Sequence, residues 1–463
     1  MASRDLTQGA VPRLLITLAL PVMATFVIQA LYALVNLFFV GFLGGKAVAA
    51  ISISLNTFFL VLALGQALGT GSLAMLAQAY GRGERDRVPA MFQQTVWLTL
   101  AMGIAFAAAG SALSGPYIRA FSDDPDVIRE GMAFFRVYSF TFFTQLVMIA
   151  FSYCFRAVGD FITPTKLFAT SLVLNLALDP LLIFGLGPVP ALGLVGAAIA
   201  TLIAQSIAVL IYAWRIVAPH GGHVLVLRRP FTLNWRLMGR IARIGSPSGL
   251  QYVLFSAMMM ITYRYLAGFG AAATAAVGIG LRFTQSAVMP GIAIGAAVAS
   301  LTGQSWGARQ PARIKAGIVW GLIYTVGLGA AEYALLAAAP RFWVSLFASD
   351  PEIVHLGALN LLICGAFLVP NAIGIVTTFA SQGLGRTYAP MLAVAVRLAC
   401  FVLFLNLLER SGDLSVVAIY WATIAAFVAD SLVMTAVLTI FWTRVLRTPV
   451  AVPAAAHPAA GGD

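Results

Sequence analysis

The sequence predicts an all-α integral membrane protein: twelve transmembrane helices in two parallel-repeat six-helix lobes around a central cavity. Three observations carry that prediction. First, 61% of the 463 residues are hydrophobic and only 10% are charged, too little polar surface to keep a soluble domain dissolved. Second, apolar runs of about twenty residues, enough to cross a hydrocarbon core of about 30 Å, recur from end to end. They are continuous rather than alternating, which favours helices over a barrel. Third, the chain repeats itself at one constant spacing, with Pro21 falling on Pro247.

Turn residues between the apolar runs place spans near 14–42, 50–78, 91–115, 132–157, 163–186 and 191–217, which form a first lobe (1–217). A basic stretch, 218–240, follows as a cytoplasmic inter-lobe loop; its His220 and His223 are too few to make a metal site. Spans near 243–268, 276–303, 316–339, 357–380, 388–409 and 416–443 form a second lobe (241–447). The remainder, 448–463, is rich in Pro and Ala and is expected to be a disordered cytoplasmic tail.

At the spacing set by the two prolines, Gly44 meets Gly270 and AAISISL (49–55) meets AAVGIGL (275–281). Gly65, Gly69, Gln78 and Gly81 meet Gly291, Gly295, Gln304 and Gly307. FSDDP (121–125) then falls on FASDP (347–351), Gly159 on Gly385 and Pro164 on Pro390, without a gap. These are turn, breaker and packing residues, whose positions are structural. An even number of spans per lobe means that both lobes enter the membrane from the same side, so the pseudo-twofold axis runs along the membrane normal. The paired Gly-x-x-x-Gly spacings fit close helix approach.

The formal net charge of +12 is a topology signal rather than a nucleic-acid footprint. Most of the Lys and Arg fall on the face that holds both termini, including Arg82, Arg85, Arg87, the run from Arg215 to Arg243, and Arg309, Arg313 and Lys315. The positive-inside rule makes that face cytoplasmic. Cys154, Cys364 and Cys400 lie in apolar spans without motif spacing, which implies packing and no disulfide framework. The leader MASRDLTQGAVPR lacks a small-residue cleavage site, so no removable signal is expected. GTG at 69–71 lacks the Lys-Ser/Thr of a phosphate-binding loop, and HExxH does not occur. Neither enzyme activity nor a cofactor is expected.

Three acids fall within spans: Asp179, Glu332 and Asp430. A charge at the bilayer centre costs about 2.5–3.5 kcal/mol, so each needs a partner, a cavity or a proton. Asp179 sits in NLALDP (175–180). Asn175 lies one helical turn earlier on the same face, and Pro180, which has no N–H, frees the carbonyl of Leu176. A carboxylate, an amide and a carbonyl at one depth can hold a proton or a small cation. Asp430, in FVADSLVM, falls at a similar depth in the second lobe. An ion site, a cavity acid for cationic substrates and a packing Asp paired with a hydroxyl or an arginine all fit it. Arg397 is expected to pair with Asp430 or cap carbonyls, Glu332 to snorkel or pair with Arg341, and Arg264 and Arg282 to reach the interface. Met258, Met259, Met260, Phe142, Phe143 and Met148 are candidates for an adaptable substrate lining.

ALP…QALY…FFVGFLG (19–44), LDPLLIFGLG (178–187), GAAIAT (196–201) and GQSWGA (303–308), in that order on twelve spans, resemble the multidrug and toxic compound extrusion (MATE) family. The resemblance covers nearly the whole chain and points to the prokaryotic DinF-like branch. It implies a secondary antiporter that exports amphipathic, often cationic organic compounds in exchange for H⁺ or Na⁺. It further implies a bacterial inner-membrane protein with both termini cytoplasmic, acting as a monomer on small-molecule substrates, in contact with the lipid bilayer and no nucleic acid. In that branch an ion site joins spans one, five and six. The matching positions are Tyr32, Asn36, Asn175, Asp179 and, with the loop at 187–194 longer than the family's, Thr201. Pro21 matches the span-one proline where that helix is thought to bend. The chain departs from the branch at Asn36, where aspartate is usual. Asparagine offers an oxygen but cannot titrate, so Asp179 is left to act alone, and its single charge favours a proton over sodium. The alternative is a lipid or lipid-linked oligosaccharide flippase of the wider superfamily, although such relatives tend to carry more cavity cations and extra spans.

Overall fold

The computed structural model describes residues 4–55, 57–185, 190–217, 224–227 and 232–444. The first half of the chain contributes α1 (Val11–Gly41), α2 (Gly45–Leu55), α3 (Phe58–Gly81), α4 (Arg87–Ala112), α5 (Ser114–Arg119), α6 (Pro125–Ala157), α7 (Ile162–Pro180) and α8 (Gly193–Val217). The second contributes α9 (Trp235–Ala267), α10 (Ala271–Gly307), α11 (Pro311–Ala338), α12 (Pro340–Ser345), α13 (Pro351–Ile363), α14 (Leu368–Gly383), α15 (Tyr388–Ser411) and α16 (Val416–Arg444). The tail 448–463 and the pair His220 and His223 lie outside the described residues.

Among the described residues, 11 helical rods are long and apolar enough to cross a membrane, with α2 and α3 counted together and α13 and α14 likewise. The twelfth long helix is α9, with 33 residues. Its composition is more polar: Arg236, Arg240 and Arg243 open it, and Ser246, Ser248 and Gln251 follow. That polarity is tolerable because α9 packs along α3 and is partly shielded from lipid. The short helices α5 and α12 are additions to the expected pattern, and they occupy equivalent places in the two halves.

Local chemistry repeats with the sequence. The Asp124 side chain caps α6 by accepting from the Asp126 amide at 2.8 Å, and the Asp350 side chain caps α13 by accepting from the Glu352 amide at 2.8 Å. Each is followed by a proline in the first turn, where a missing N–H costs nothing. Gly159 and Gly385 close the matching turns at φ 85° and 73°, a left-handed conformation that a side chain would strain.

The packing divides the molecule along its length. One core cluster, with Val40, Phe134, Phe142 and Leu146, draws only on the first half, and another, with Met258, Phe367, Phe401 and Tyr420, only on the second. Both belong to the side away from the chain ends. On the chain-end side, a cluster joins Leu14, Leu18 and Val22 of α1 to Ala297, Leu301 and Ile318 of the second half. Two bundles therefore diverge from a common base. Backbones meet there without intervening side chains: no Cβ fits at Gly245 against the Ala67 carbonyl, or at Gly307 against the Gln78 carbonyl. The leading segment ties the base. Leu6 N donates to Gln304 Oε1 at 2.8 Å, and the Arg313 guanidinium donates to the carbonyls of Leu6, Gly9 and Gln8 at 2.7, 2.8 and 2.6 Å. Gly65 and Gly69 instead pack within their own half, against Ile149 and Tyr153, as Gly295 does against Phe379.

Candidate functional site

Ser171, Asn175 and Asp179 occupy successive turns of α7 and project to one side. All three are buried, Asn175 and Asp179 completely. Asn175 Nδ2 donates to Asp179 Oδ1 at 3.0 Å and reaches Thr201 Oγ1 of α8 at 3.4 Å. The Tyr32 hydroxyl of α1 joins the same group, beside Thr201, Ser171 and Asp179. Asn36 lies one turn beyond Tyr32, its Oδ1 buried and without a partner. Tyr32, Asn175, Asp179 and Thr201 thus converge from three helices. Ser171 is the member that sequence reasoning misses, and the signal for it is the spacing 171, 175, 179 on one helix face.

The chain builds this corner with breakers. After Pro180 the regular helix gives way to a wider π-helical turn, Leu181–Gly185, a feature that often accompanies functional sites. Gly185, at φ 75°, turns the chain back. The Leu182 carbonyl accepts from Leu192 N at 3.0 Å and lies so close to Gly196 that a Cβ there has no room. This contact holds α8 against the Asp179 corner and delivers Thr201 to it.

Four polar atoms of the cluster have no hydrogen-bond partner: Asp179 Oδ2, Asn175 Oδ1, Ser171 Oγ and the Tyr32 hydroxyl. Each such buried atom costs about 1–3 kcal/mol. A group of unpaired oxygens enclosed together is unusual in a folded protein. One carboxylate, one amide oxygen and hydroxyls are ligands for a proton or a hard cation.

Pro21 lies within α1. Its carbonyl accepts from Thr25 Oγ1 at 3.0 Å and from Thr165 Oγ1 of α7 at 2.8 Å. The proline turn is thereby pinned to α7, roughly 20 Å from Asp179 at about 1.5 Å per helical residue.

In the second half, Asp430 faces Arg397: Nη1 lies 3.5 Å from Oδ2, and both side chains are buried. The guanidinium carbon of Arg397 is also 4.6 Å from the centre of the Phe427 ring. Of the arrangements open to Asp430, arginine pairing is the one present. Glu332 forms no ion pair with Arg341 among the described residues. Arg264 and Arg282 are exposed. Phe142 and Met148 are buried in the first half's cores and Met258 in the second's, whereas Met260 is 71% exposed. These residues serve packing and outer surface instead of a shared substrate lining. The three cysteines are free.

Comparison with known proteins adds four findings to this geometry. A probable multidrug resistance protein, YoeA of Bacillus subtilis, is 28% identical over 347 residues, 74% of this chain and 75% of that protein. A FAD transporter of Shewanella oneidensis is 26% identical over 422 residues, 88% of this chain and 89% of that protein. A solved outward-facing conformation of a multidrug resistance MATE family transporter of the MOP superfamily has the same fold. It gives a TM-score of 0.89 at 20% identity, covering 96% of this chain and 99% of that one. The MatE family model matches twice, over residues 21–181 and 247–408, and each match begins at one of the paired prolines, Pro21 and Pro247. On that double match the chain belongs to the MatE family, a family of membrane transporters and not of enzymes.

Proposed function

We propose that the protein is a secondary antiporter of the DinF-like branch, exporting amphipathic organic compounds in exchange for H⁺ or Na⁺, with Asp179 carrying the coupling ion. The observation that carries this reading is the cluster of unpartnered buried oxygens at Asp179, Asn175, Ser171 and Tyr32. An arriving proton or cation satisfies those atoms, so the ion-loaded and ion-free proteins differ in internal energy, and an ion shifts a conformational equilibrium only through such a difference.

The excess of basic residues on the chain-end side supports a cytoplasmic location for it. Closure of the bundles there makes this conformation outward-open, with the Asp179 cluster ready to load from outside. Two lobes, 1–217 and 241–447, then rock about their shared base to release the ion inward. The Pro21 turn, tied to α7 through Thr165, gives α1 a place to bend as the cluster fills. Asn36 leaves one titratable carboxyl in the cluster, so one ion crosses per cycle. A single charge moved down 100 mV supplies about 2.3 kcal/mol.

The test is efflux from proteoliposomes under separately imposed H⁺ and Na⁺ gradients, with an amphipathic organic cation and FAD as probes. FAD is included because one relative is named for it. Gradient-driven export is expected for the unaltered protein and lost in Asp179→Asn, which keeps an acceptor for Asn175 but cannot titrate. Undiminished gradient-driven export by that variant would remove Asp179 from the mechanism.

A further inference from the structure

The second half of the chain contains a cavity of about 420 Å³ near the chain-end side, lined by Ile318, Thr377, Ser381, Arg386, Leu438 and Phe441 among others. The internal repeat explains why it exists. At the spacing from Pro21 to Pro247, the counterparts of Ile318, Thr377, Ser381 and Leu438 are Phe92, Phe151, Phe155 and Tyr212. In the first half those four rings are buried and interlocked. Phe92 and Phe151 lie 5.4 Å apart between centres, Phe151 and Tyr212 5.6 Å, and Phe155 and Tyr212 5.3 Å. The same scaffold is thus packed solid in one half and hollow in the other. An aromatic side chain buries about 150–250 Å², and exchanging four for smaller groups opens a volume typical of ligand sites, about 300–1,000 Å³.

The charge at the mouth is inverted too. Asp160 of the first half accepts from Ile162 N, Thr163 N and Thr163 Oγ1, capping α7. Its counterpart is Arg386. Among the described residues Arg386 has no carboxylate partner. Its guanidinium lies 5.9 Å from the Trp306 ring and 5.5 Å from the Phe441 ring. Deeper along α14, Thr377 is 2% exposed and its Oγ1 has no partner. Thr302, Thr423 and Thr435, by contrast, each donate to the carbonyl four residues earlier, the usual resort of a helical threonine. The rim is apolar and open: Ile440, which lines it, is 53% exposed. On membrane-spanning helices such surface faces acyl chains.

We propose that this cavity binds an anionic phospholipid from the leaflet on the chain-end side. Its phosphate sits on Arg386, its ester oxygens meet the Ser381 and Thr377 hydroxyls, and an acyl chain lies between Ile318 and Leu438. The site lies outside the Asp179 cluster and does not depend on the antiport reading, because its test measures binding and not transport.

Native mass spectrometry of the full chain in mild detergent, titrated with dioleoyl phosphatidylglycerol, dioleoyl phosphatidylcholine or oleate, tests it. The unaltered protein is expected to retain one phosphatidylglycerol in preference to the other two. Arg386→Gln should weaken phosphatidylglycerol retention about tenfold, the worth of one charge-assisted hydrogen bond, and narrow its preference over phosphatidylcholine, whose choline offsets the phosphate charge. Thr377→Phe with Ser381→Phe restores two of the first half's four rings and should abolish retention while raising the thermal midpoint, since a cavity is filled. If that pair does not fold, Leu438→Tyr restores one ring alone and should lower retention. Equal retention across these variants, or equal retention of phosphatidylcholine, overturns the proposal. Retention of oleate without phosphatidylglycerol overturns the phospholipid assignment.

Discussion

Gly245→Ala tests whether backbone contact at the base sets the conformation. The added Cβ at Gly245 collides with the Ala67 carbonyl and comes within 3.2 Å of Gly71 N. Both opponents are main-chain atoms, so no rotamer change relieves the clash, and α9 must move away from α3. Overpacking of this kind costs about 1–3 kcal/mol. The cost falls only on the conformation in which the base is closed, so the equilibrium shifts about 5–150-fold toward base-open forms. Phe121 and Phe347 occupy equivalent loops on the opposite side and are 57% and 61% exposed. Replaced by spin-labelled cysteines in a background lacking Cys154, Cys364 and Cys400, they report the separation of the two bundles by pulsed EPR. Gly245→Ala should move the distance distribution toward shorter values as that side closes. Gly239→Ala, on the same helix with nothing within 4 Å of the added carbon, should leave it unchanged. An unchanged distribution in Gly245→Ala, or a shift to longer distances, would refute the account of the base.

Arg313→Ala removes the donors to the Leu6, Gln8 and Gly9 carbonyls; the loss of about 1.5–3 kcal/mol should shift the same EPR distances in the same direction. Arg397→Ala leaves Asp430 buried and unpaired and should lower stability by about 3–5 kcal/mol, read as a lower thermal midpoint in detergent, with most of the loss recovered in the double variant with Asp430→Ala. Ser171→Ala deletes a buried hydroxyl that has no partner, so the ion-free protein should gain up to about 1–3 kcal/mol while coupled transport weakens; a lower thermal midpoint would mean that the hydroxyl is bonded after all. Asn36→Asp adds a second carboxyl to α1 and should raise the ion-to-substrate ratio from one toward two, measured from the gradient that just balances export.

The spans were legible because each is decided locally, by the length of an apolar run and the breakers that bound it. The FSDDP and FASDP caps and the glycine turns at 159 and 385 followed from the repeat for the same reason. Two interruptions were not legible: the π-helical turn after Pro180 and the 3-10 turn Cys364–Phe367 between α13 and α14. Both turns, LLIFG (181–185) and CGAF (364–367), are as apolar as the helices they interrupt. Within the site, Asn175 and Asp179 could be paired from their four-residue spacing alone. Tyr32 and Thr201 came only through resemblance to a family. The residues taken for a substrate lining, Phe142 and Met148, turned out to be core, because an aromatic or Met residue looks the same in sequence whether it faces a cavity or a neighbour.

The sequence by itself determined the membrane class, the twofold internal repeat and the intramembrane carboxylate that most needs a function. The tertiary structure decided the convergence of Tyr32 and Thr201 on that carboxylate, the partner of Asp430, the closed base and the hollow facing Arg386. The reason lies in the solvent. A helix in water declares its inner face by an apolar stripe, whereas a helix in lipid is apolar all round. Its rotation about its own axis, and so which side chains meet, is set by small residues such as Gly245 and Gly196 and by the shapes packed against them. Those contacts exist only once the helices are side by side.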